Sequence, residues 1–235
     1  EMLRGNSGAN YFYSRRIGAA PRIGVDGDFV DRPKSSTILG AAKLTGRLPS
    51  RLTIAGLAAI TAAERARSYD SSTAITQSFR VEPRTAYGVF RLQQEVGTQA
   101  STIGFATTVV QRDVKGDSTL NSRLASEAYF GSLDWRMRFQ QGKYAIRGFV
   151  AATHVAGDTA AVNGLQRASS RYFQRPDARH VTYDPLRTSL GGYSVQLRAD
   201  KDAGRRFLWG AEVKAESPGF ELNDLGRLQS TDDIE

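Results

Sequence analysis

Apolar and polar residues alternate one for one along much of this chain. The cleanest stretch runs from Ala128 to Phe139. Tyr129, Gly131, Leu133, Trp135, Met137 and Phe139 share one parity, while Ser132, Asp134, Arg136 and Arg138 share the other. A helix would mix the two sets, whereas an extended strand sends them to opposite faces. The same pattern returns at Arg206 to Glu216, where Phe207, Trp209, Ala211, Val213 and Ala215 oppose Arg206, Glu212, Lys214 and Glu216. It returns at Tyr193 to Asp200 and at Thr37 to Leu48. Arg51 to Ala63, Pro83 to Glu95, Ser101 to Arg112 and Tyr144 to Val155 read as strands with a less regular alternation, Arg147 interrupting one face of the last. Asn10 to Ile17 is a candidate ninth strand.

These runs are long. Strands of globular proteins usually span about five or six residues, and crossing a bilayer on a tilted strand takes roughly 9 to 11. The connections alternate in length as well. Leu48 to Arg51, Gly97 to Ala100, Gln140 to Lys143 and Lys201 to Arg205 are short, and between them lie the polar links Arg65 to Val81, Val114 to Arg123 and Gly157 to Arg187. Short turns on one side and long loops on the other is the layout of outer-membrane barrels, with the short side periplasmic. Within the longest link, Asp158 is placed to cap a helix over Thr159 to Phe173, with Val162, Leu165, Ser169 and Tyr172 near one face. The pattern therefore predicts an all-β, antiparallel transmembrane β-barrel. About nine or ten long strands are expected, with one short helix in the 158–175 loop, and residues 1–235 form a single domain that is part of the barrel.

Composition changes this picture little. The mean hydropathy is mildly negative, as in a soluble protein and equally in a barrel whose strands face lipid at every second residue. No apolar run is long enough for a transmembrane helix. The net charge of +8 is carried mainly by arginine without any long run of like charges. It fits arginines lining a polar lumen or facing lipopolysaccharide phosphates better than a nucleic-acid footprint. The absence of cysteine removes disulfides, thiolate nucleophiles and cysteine zinc sites. The chain opens at Glu1 without a leader pattern and closes on Asp232-Asp233-Ile234-Glu235, which reads as an internal piece of a larger barrel.

No chemistry stands out. The two histidines, His154 and His180, form no local metal motif, and there is no phosphate loop or dinucleotide fingerprint, so neither metal nor cofactor is expected. Ser169, Ser170, Asp177 and Asp184 lie near His180, but no nucleophile elbow accompanies them, and no catalytic residue is assigned. Asp134, Arg136 and Arg138 would face a barrel lumen, either binding an anionic solute or pairing with acidic groups on neighbouring strands. Tyr129, Trp135, Phe139, Tyr144, Tyr193, Phe207 and Trp209 suit interfacial girdles.

Four stretches carry a resemblance. They are Tyr11-Phe12-Tyr13-Ser14-Arg15-Arg16-Ile17-Gly18, Ile38 to Arg47 (ILGAAKLTGR), Tyr172 to Asp177 with His180 and Tyr183-Asp184-Pro185 following, and Ser217 to Gly226 (SPGFELNDLG). Together they resemble an uncharacterised family of large bacterial envelope proteins that pair an N-terminal family-nine-type carbohydrate-binding domain with a C-terminal outer-membrane β-barrel. The resemblance implies a place inside the barrel, in the outer membrane of a Gram-negative bacterium, with lipid and lipopolysaccharide around it and the carbohydrate-binding domain upstream. It also raises the weight of the Tyr172 to Pro185 loop. Arg175, Asp177, His180 and Asp184 are candidate ligand-binding residues there, against a plainer role in which Pro176 and Pro185 fix the loop's shape. The functional expectation is binding or uptake of a glycan or other solute at the cell surface. An outer-membrane enzyme with a loop-borne site, or a soluble carbohydrate-binding β-sandwich, is the alternative.

Overall fold

The computed structural model describes residues 12–177, 180–204, 206–222 and 224. Eight strands form one antiparallel sheet: β2 (Ile38–Arg47), β3 (Leu52–Thr61), β6 (Thr85–Val96), β7 (Ser101–Arg112), β8 (Glu127–Phe139), β9 (Tyr144–Ala156), β10 (Ser189–Lys201) and β11 (Trp209–Glu216). Their order is β11-β10-β9-β8-β7-β6-β3-β2. Every alternating segment from Thr37 onward thus becomes a strand of one sheet. Among the described residues the sheet does not close, and β2 and β11 are its two edges.

Three expectations are corrected. The Asn10 to Ile17 segment is not a strand over its described part, where Ser14–Arg16 form a 3-10 turn. The Arg65 to Val81 link is not a loop. It forms β4 (Glu64–Asp70) and β5 (Ile75–Glu82), a hairpin that continues the β3/β6 pair and carries β1 (Phe29–Asp31) on its far edge. Arg65 and Arg67 hid β4, whose other parity carries only the small Ala66 and Ser68 between charged ends, and β5 offers only the short alternation of Ile75, Phe79 and Val81. The helix capped by Asp158 stops at Arg167 rather than Phe173. The cap itself forms, with Asp158 accepting from the Ala160 amide, but Ala168 is extended and Tyr172 is left-handed at φ 51°, so the chain turns back. A second short helix, α1 (Ser118–Arg123), occupies the β7–β8 link, and the Asp158 helix is α2 (Thr159–Arg167).

The connections sort by end. Residues 48–51, 97–100, 140–143 and, in the β10–β11 connection, 202–204 and 206–208 turn at one end of the sheet, and the β4–β5 hairpin, α1 and α2 lie at the other. The Gln140–Gln141 turn is tight. Both residues are left-handed, at φ 48° and 58°, and the Gly142 amide donates to the Phe139 carbonyl. That backbone twist matches the twist of the flanking strands.

The pairing register decides what each face carries. Tyr129, Leu133 and Trp135 on β8 stand beside Val109, Phe105 and Ile103 on β7 and beside His154, Val150 and Gly148 on β9. Val150 continues to Val195, and Leu197 to Val213. On the far side Leu92 and Phe90 meet Ile54 and Gly56. This face is apolar across all eight strands and uncovered among the described residues. Leu44 is 71 % exposed, Leu133 54 %, Leu197 51 % and Val213 65 %. Trp135 lies flat over Gly148, where a Cβ would overlap its ring.

The opposite face carries Arg91, Asp134, Arg136, Arg138, Arg147, Arg198, Asp200 and Glu212 toward the short turns. Toward the long-loop end it becomes apolar and buried. Phe130 and Ala151 pack with Phe220 and Leu222 there, and Tyr87, Val110, Ala128 and Val155 form a second cluster. Phe220 belongs to the segment after β11, which folds back across β10 and β9. Ser217 and Tyr193 exchange hydrogen bonds, and the Glu221 amide donates to Thr153 Oγ1. Gly192 makes this crossing possible, since a Cβ there would fall on the Phe220 backbone.

Replacing Gly192 with alanine is therefore expected to lift the 217–222 segment and cost about 1–3 kcal/mol, as overpacking against backbone does. A lowered unfolding midpoint for Gly192→Ala, with Gly131→Ala as an uncrowded control, checks this.

Candidate functional site

The richest cluster of charge lies on the polar face near the short turns. In register, Arg136 of β8 stands opposite Arg147 of β9, Arg147 opposite Arg198 of β10, and Arg198 opposite Glu212 of β11. Three arginines abreast on adjacent strands repel one another unless counter-ions intervene. Asp200 and Asp202 supply them. Asp200 lies 3.0 Å from Arg147 and 2.8 Å from Arg198, and Asp202 lies 3.3 Å from Arg147. Arg198 also reaches Glu212 at 2.8 Å.

One residue pair deeper, Arg91 of β6 grips Asp134 with two guanidinium nitrogens, the second at 2.9 Å. Gly104 sits between these partners on β7, and a Cβ there would come within 2.7 Å of the guanidinium and 2.8 Å of the carboxylate. Gly210 on the neighbouring β11 stands beside Asp200 and Arg198, and a Cβ there would come within 2.7 and 3.0 Å of them. At Gly104 the glycine marks where an ion pair crosses a strand.

Asp134, Arg136 and Arg138 therefore share one face with the same parity, and the structure divides their roles. Asp134 is the partner of Arg91. Arg136 meets one carboxylate among the described residues, Asp202 at 3.6 Å. No side-chain partner of Arg138 occurs among the described residues. An open depression of about 680 Å3 adjoins Arg136 and Arg138 and is lined also by Thr98, Gln99, Gln141 and Asp202. A separate depression of about 420 Å3 lies between β1 and β4.

The loop candidates are not drawn into this cluster. Asp177 and His180 are exposed, and Arg175 and Asp184 are half-buried, all at the long-loop end. Asp184 shapes its own loop. Its carboxylate accepts from the Leu186 amide, and its backbone is clamped by Gln166, which donates to its carbonyl at 2.8 Å and accepts from its amide at 3.0 Å. Val162, Phe173 and Leu190 pack beneath, with Tyr183 against them. His154 lies on the apolar face, stacked against Tyr129. No group of acidic or histidine side chains suited to a metal occurs among the described residues.

Two buried ion pairs that sequence reasoning missed close the long-loop end. Arg171 is 1 % and Glu221 2 % exposed where they meet, and Arg171 also donates to the Phe220 carbonyl at 2.8 Å. Asp224 is held between Arg112 and Arg22, the latter at 3.2 Å. Burial alone pushes the Asp224 carboxyl up, but the two guanidinium groups outweigh it and hold the carboxyl at about 2, below its ordinary 3.8. No local sequence signal links these residues, since Arg112 and Asp224 are 112 positions apart.

A carboxyl with a depressed pKa stabilises the fold in its ionised form. Its contribution, about 2 kcal/mol by linkage, is present above pH ~4 and falls away as the pH drops through about 2. Hydrogen exchange across 217–222, corrected for intrinsic rates, is expected to accelerate over that window. Asp224→Asn is expected to show the faster exchange already at neutral pH. Removing Arg171 alone leaves Glu221 buried with its charge, and Arg171→Ala is expected to cost about 3–5 kcal/mol. The double change Arg171→Met with Glu221→Leu is expected to cost clearly less in the same denaturation series.

Comparison with curated proteins and with solved structures returned no match. One family model matches residues 6–235, nearly the whole length. The chain belongs to the DUF5916 family, described as a domain of unknown function.

Proposed function

We propose that this chain forms part of an outer-membrane β-barrel that binds or takes up a solute at the surface of a Gram-negative bacterium, a glycan being one candidate. The observation that carries the reading is the inversion of the sheet: its uncovered face is apolar over eight strands, and its polar face is laced with ion pairs. A water-soluble sheet of this size would bury the first and expose the second. With the apolar face against hydrocarbon and the polar face toward an interior, both find a suitable medium.

Dimensions support it. A 13-residue strand such as β8 is about 43 Å long at roughly 3.3 Å per residue, and at a tilt of about 45° it spans the ~30 Å hydrocarbon core. Aromatic residues support it too. Phe139 pairs with Tyr144, Tyr144 with Lys201 and Lys201 with Trp209, giving a belt on the apolar face beside the short turns. Such a belt suits a membrane–water interface. The sorted connections would put the short turns in the periplasm. Among the described residues β2 and β11 are edges, and in lipid they would need partners, because unpaired backbone is costly there. A longer parent chain or a second copy would supply them.

Membrane fractionation of the full-length protein, followed by electrophoresis in mild detergent with and without boiling, tests the reading. Recovery in the outer membrane with a heat-modifiable band is expected. A soluble protein whose migration ignores heating would contradict it. Leu133→Arg gives a sharper discrimination. In lipid the substitution near mid-strand is expected to cost about 2–4 kcal/mol, whereas at a position 54 % exposed to water it would change stability by about 0.5 kcal/mol or less. Denaturant unfolding in detergent or liposomes reads the difference.

A further inference from the structure

We propose that Arg136 and Arg138 form an oxyanion-binding site on the polar face of the sheet, for a small solute bearing a phosphate, sulfate or carboxylate group. The proposal names a solute class for the interior proposed above and rests on that reading.

Arg47 and Arg51 share Glu95, Arg91 holds Asp134, Arg147 lies between Asp200 and Asp202, and Arg198 lies between Asp200 and Glu212. After these pairs are made, the arginines of the polar face left in surplus are Arg136 and Arg138. Arg136 meets Asp202 only at 3.6 Å, while Asp202 is nearer to Arg147 at 3.3 Å. The Nε of Arg136 is buried without a hydrogen-bond partner among the described residues, as are those of Arg91 and Arg147 on the same face; unlike them, Arg136 has no carboxylate within 3.5 Å among the described residues. Arg138 makes no side-chain hydrogen bond among the described residues, and its backbone amide donates to Ser101 Oγ. Two residues apart on one strand, the two guanidinium groups stand on the same side, roughly 7 Å apart along the backbone.

The surroundings are those of an anion site. The depression of about 680 Å3 beside them is lined by Thr98, Gln99 and Gln141 as well. Gln99 accepts from the Gly142 amide at 3.3 Å through Oε1, leaving its NH2 to donate. Guanidinium forks and amide donors around a concave, partly desolvated space suit a planar or tetrahedral oxyanion. Rows of arginine are how pores favour anions and phosphates. Lipid headgroups are an unsuitable source of the oxyanion, because both arginines lie on the polar face, opposite Leu133, Trp135 and Met137.

The test is calorimetric titration of the purified full-length protein in detergent, at low ionic strength, with inorganic phosphate, inorganic sulfate, glucuronate and neutral glucose. Binding of at least one of the three anions, weakened by salt, is expected, with none for glucose. Arg138→Gln is expected to weaken it about tenfold or more, as loss of a charge-assisted bond does. Asp202→Asn, which removes the nearby carboxylate, is expected to tighten it. Arg138 has no side-chain partner among the described residues, so its replacement should leave the heat-modifiable migration unchanged and separate lost binding from lost folding. Absence of anion binding, or equal binding by wild type, Arg138→Gln and the Arg136→Gln/Arg138→Gln double variant, would overturn the proposal. Arg138-dependent binding by a protein that is not heat-modifiable would uphold the site and defeat the barrel reading, so the two failures are told apart.

Discussion

Backbone pairing in an antiparallel ladder fixes register, and register at period two fixes which residue meets which medium. In this chain the ladder runs without interruption from β2 to β11, so one choice of register commits the whole molecule. A shift by one residue on β8 would carry Asp134, Arg136 and Arg138 to the face now occupied by Leu133, Trp135 and Met137. It would also separate Arg91 from Asp134 and Arg136 from the Arg147–Arg198 row. The ion pairs therefore act as register pins. Glycines beneath them, Gly104 and Gly210, remove the side chains that would stand in the way. Each such pair is partly shielded from water, and its geometry matters more than its net contribution to stability.

The two ends of the sheet are finished differently. The short-turn end stays open, polar and rich in arginine. At the long-loop end residues 217–222 fold back over β10 and β9, pinned by Arg171–Glu221 and by Asp224 between Arg112 and Arg22. Phe220 and Leu222 fill the space above Phe130 and Ala151. In the proposed barrel this puts a packed layer at the outer mouth and the oxyanion site toward the periplasm. Arg175, Asp177, His180 and Asp184 belong to that outer layer, where Asp184 at least is committed to holding the loop together through Gln166.

Much of this was legible in the residue pattern, because period-two alternation is a local signal. Ser101 to Arg112 became β7 with the same limits, and Ala128 to Phe139 became β8 within one residue. The Asp158 cap was also local and was found. What failed was less local. In the β4–β5 hairpin, β4 alternates Arg65 and Arg67 with the small Ala66 and Ser68, so it lacks an apolar stripe, and the alternation of Ile75, Phe79 and Val81 on β5 is short. The end of α2 depends on the turn at Ala168 to Tyr172, which no proline or glycine announces. At the site, the parity of Asp134, Arg136 and Arg138 placed them on one face. Arg147 broke the alternation of β9 and looked like a fault, yet it lies in the arginine row because Asp200 and Asp202 come to it from β10 and the turn beyond. Pairings between strands distant in sequence follow from register, which the alternation of one strand does not contain.

The central claim is that the apolar face meets lipid and the polar face an aqueous interior. Since the chain has no cysteine, single substitutions along β8 report on each position separately. Ser132→Cys, Leu133→Cys, Asp134→Cys, Trp135→Cys, Arg136→Cys and Met137→Cys in the membrane-embedded full-length protein would be treated with a water-soluble thiol reagent, and a fluorophore at each would be challenged with brominated lipid. The account predicts a two-residue alternation in which 133, 135 and 137 resist the reagent and are quenched by lipid, while 134 and 136 react and are not. Uniform reactivity, or labelling of 133, 135 and 137 from water with 134 and 136 protected, would contradict it.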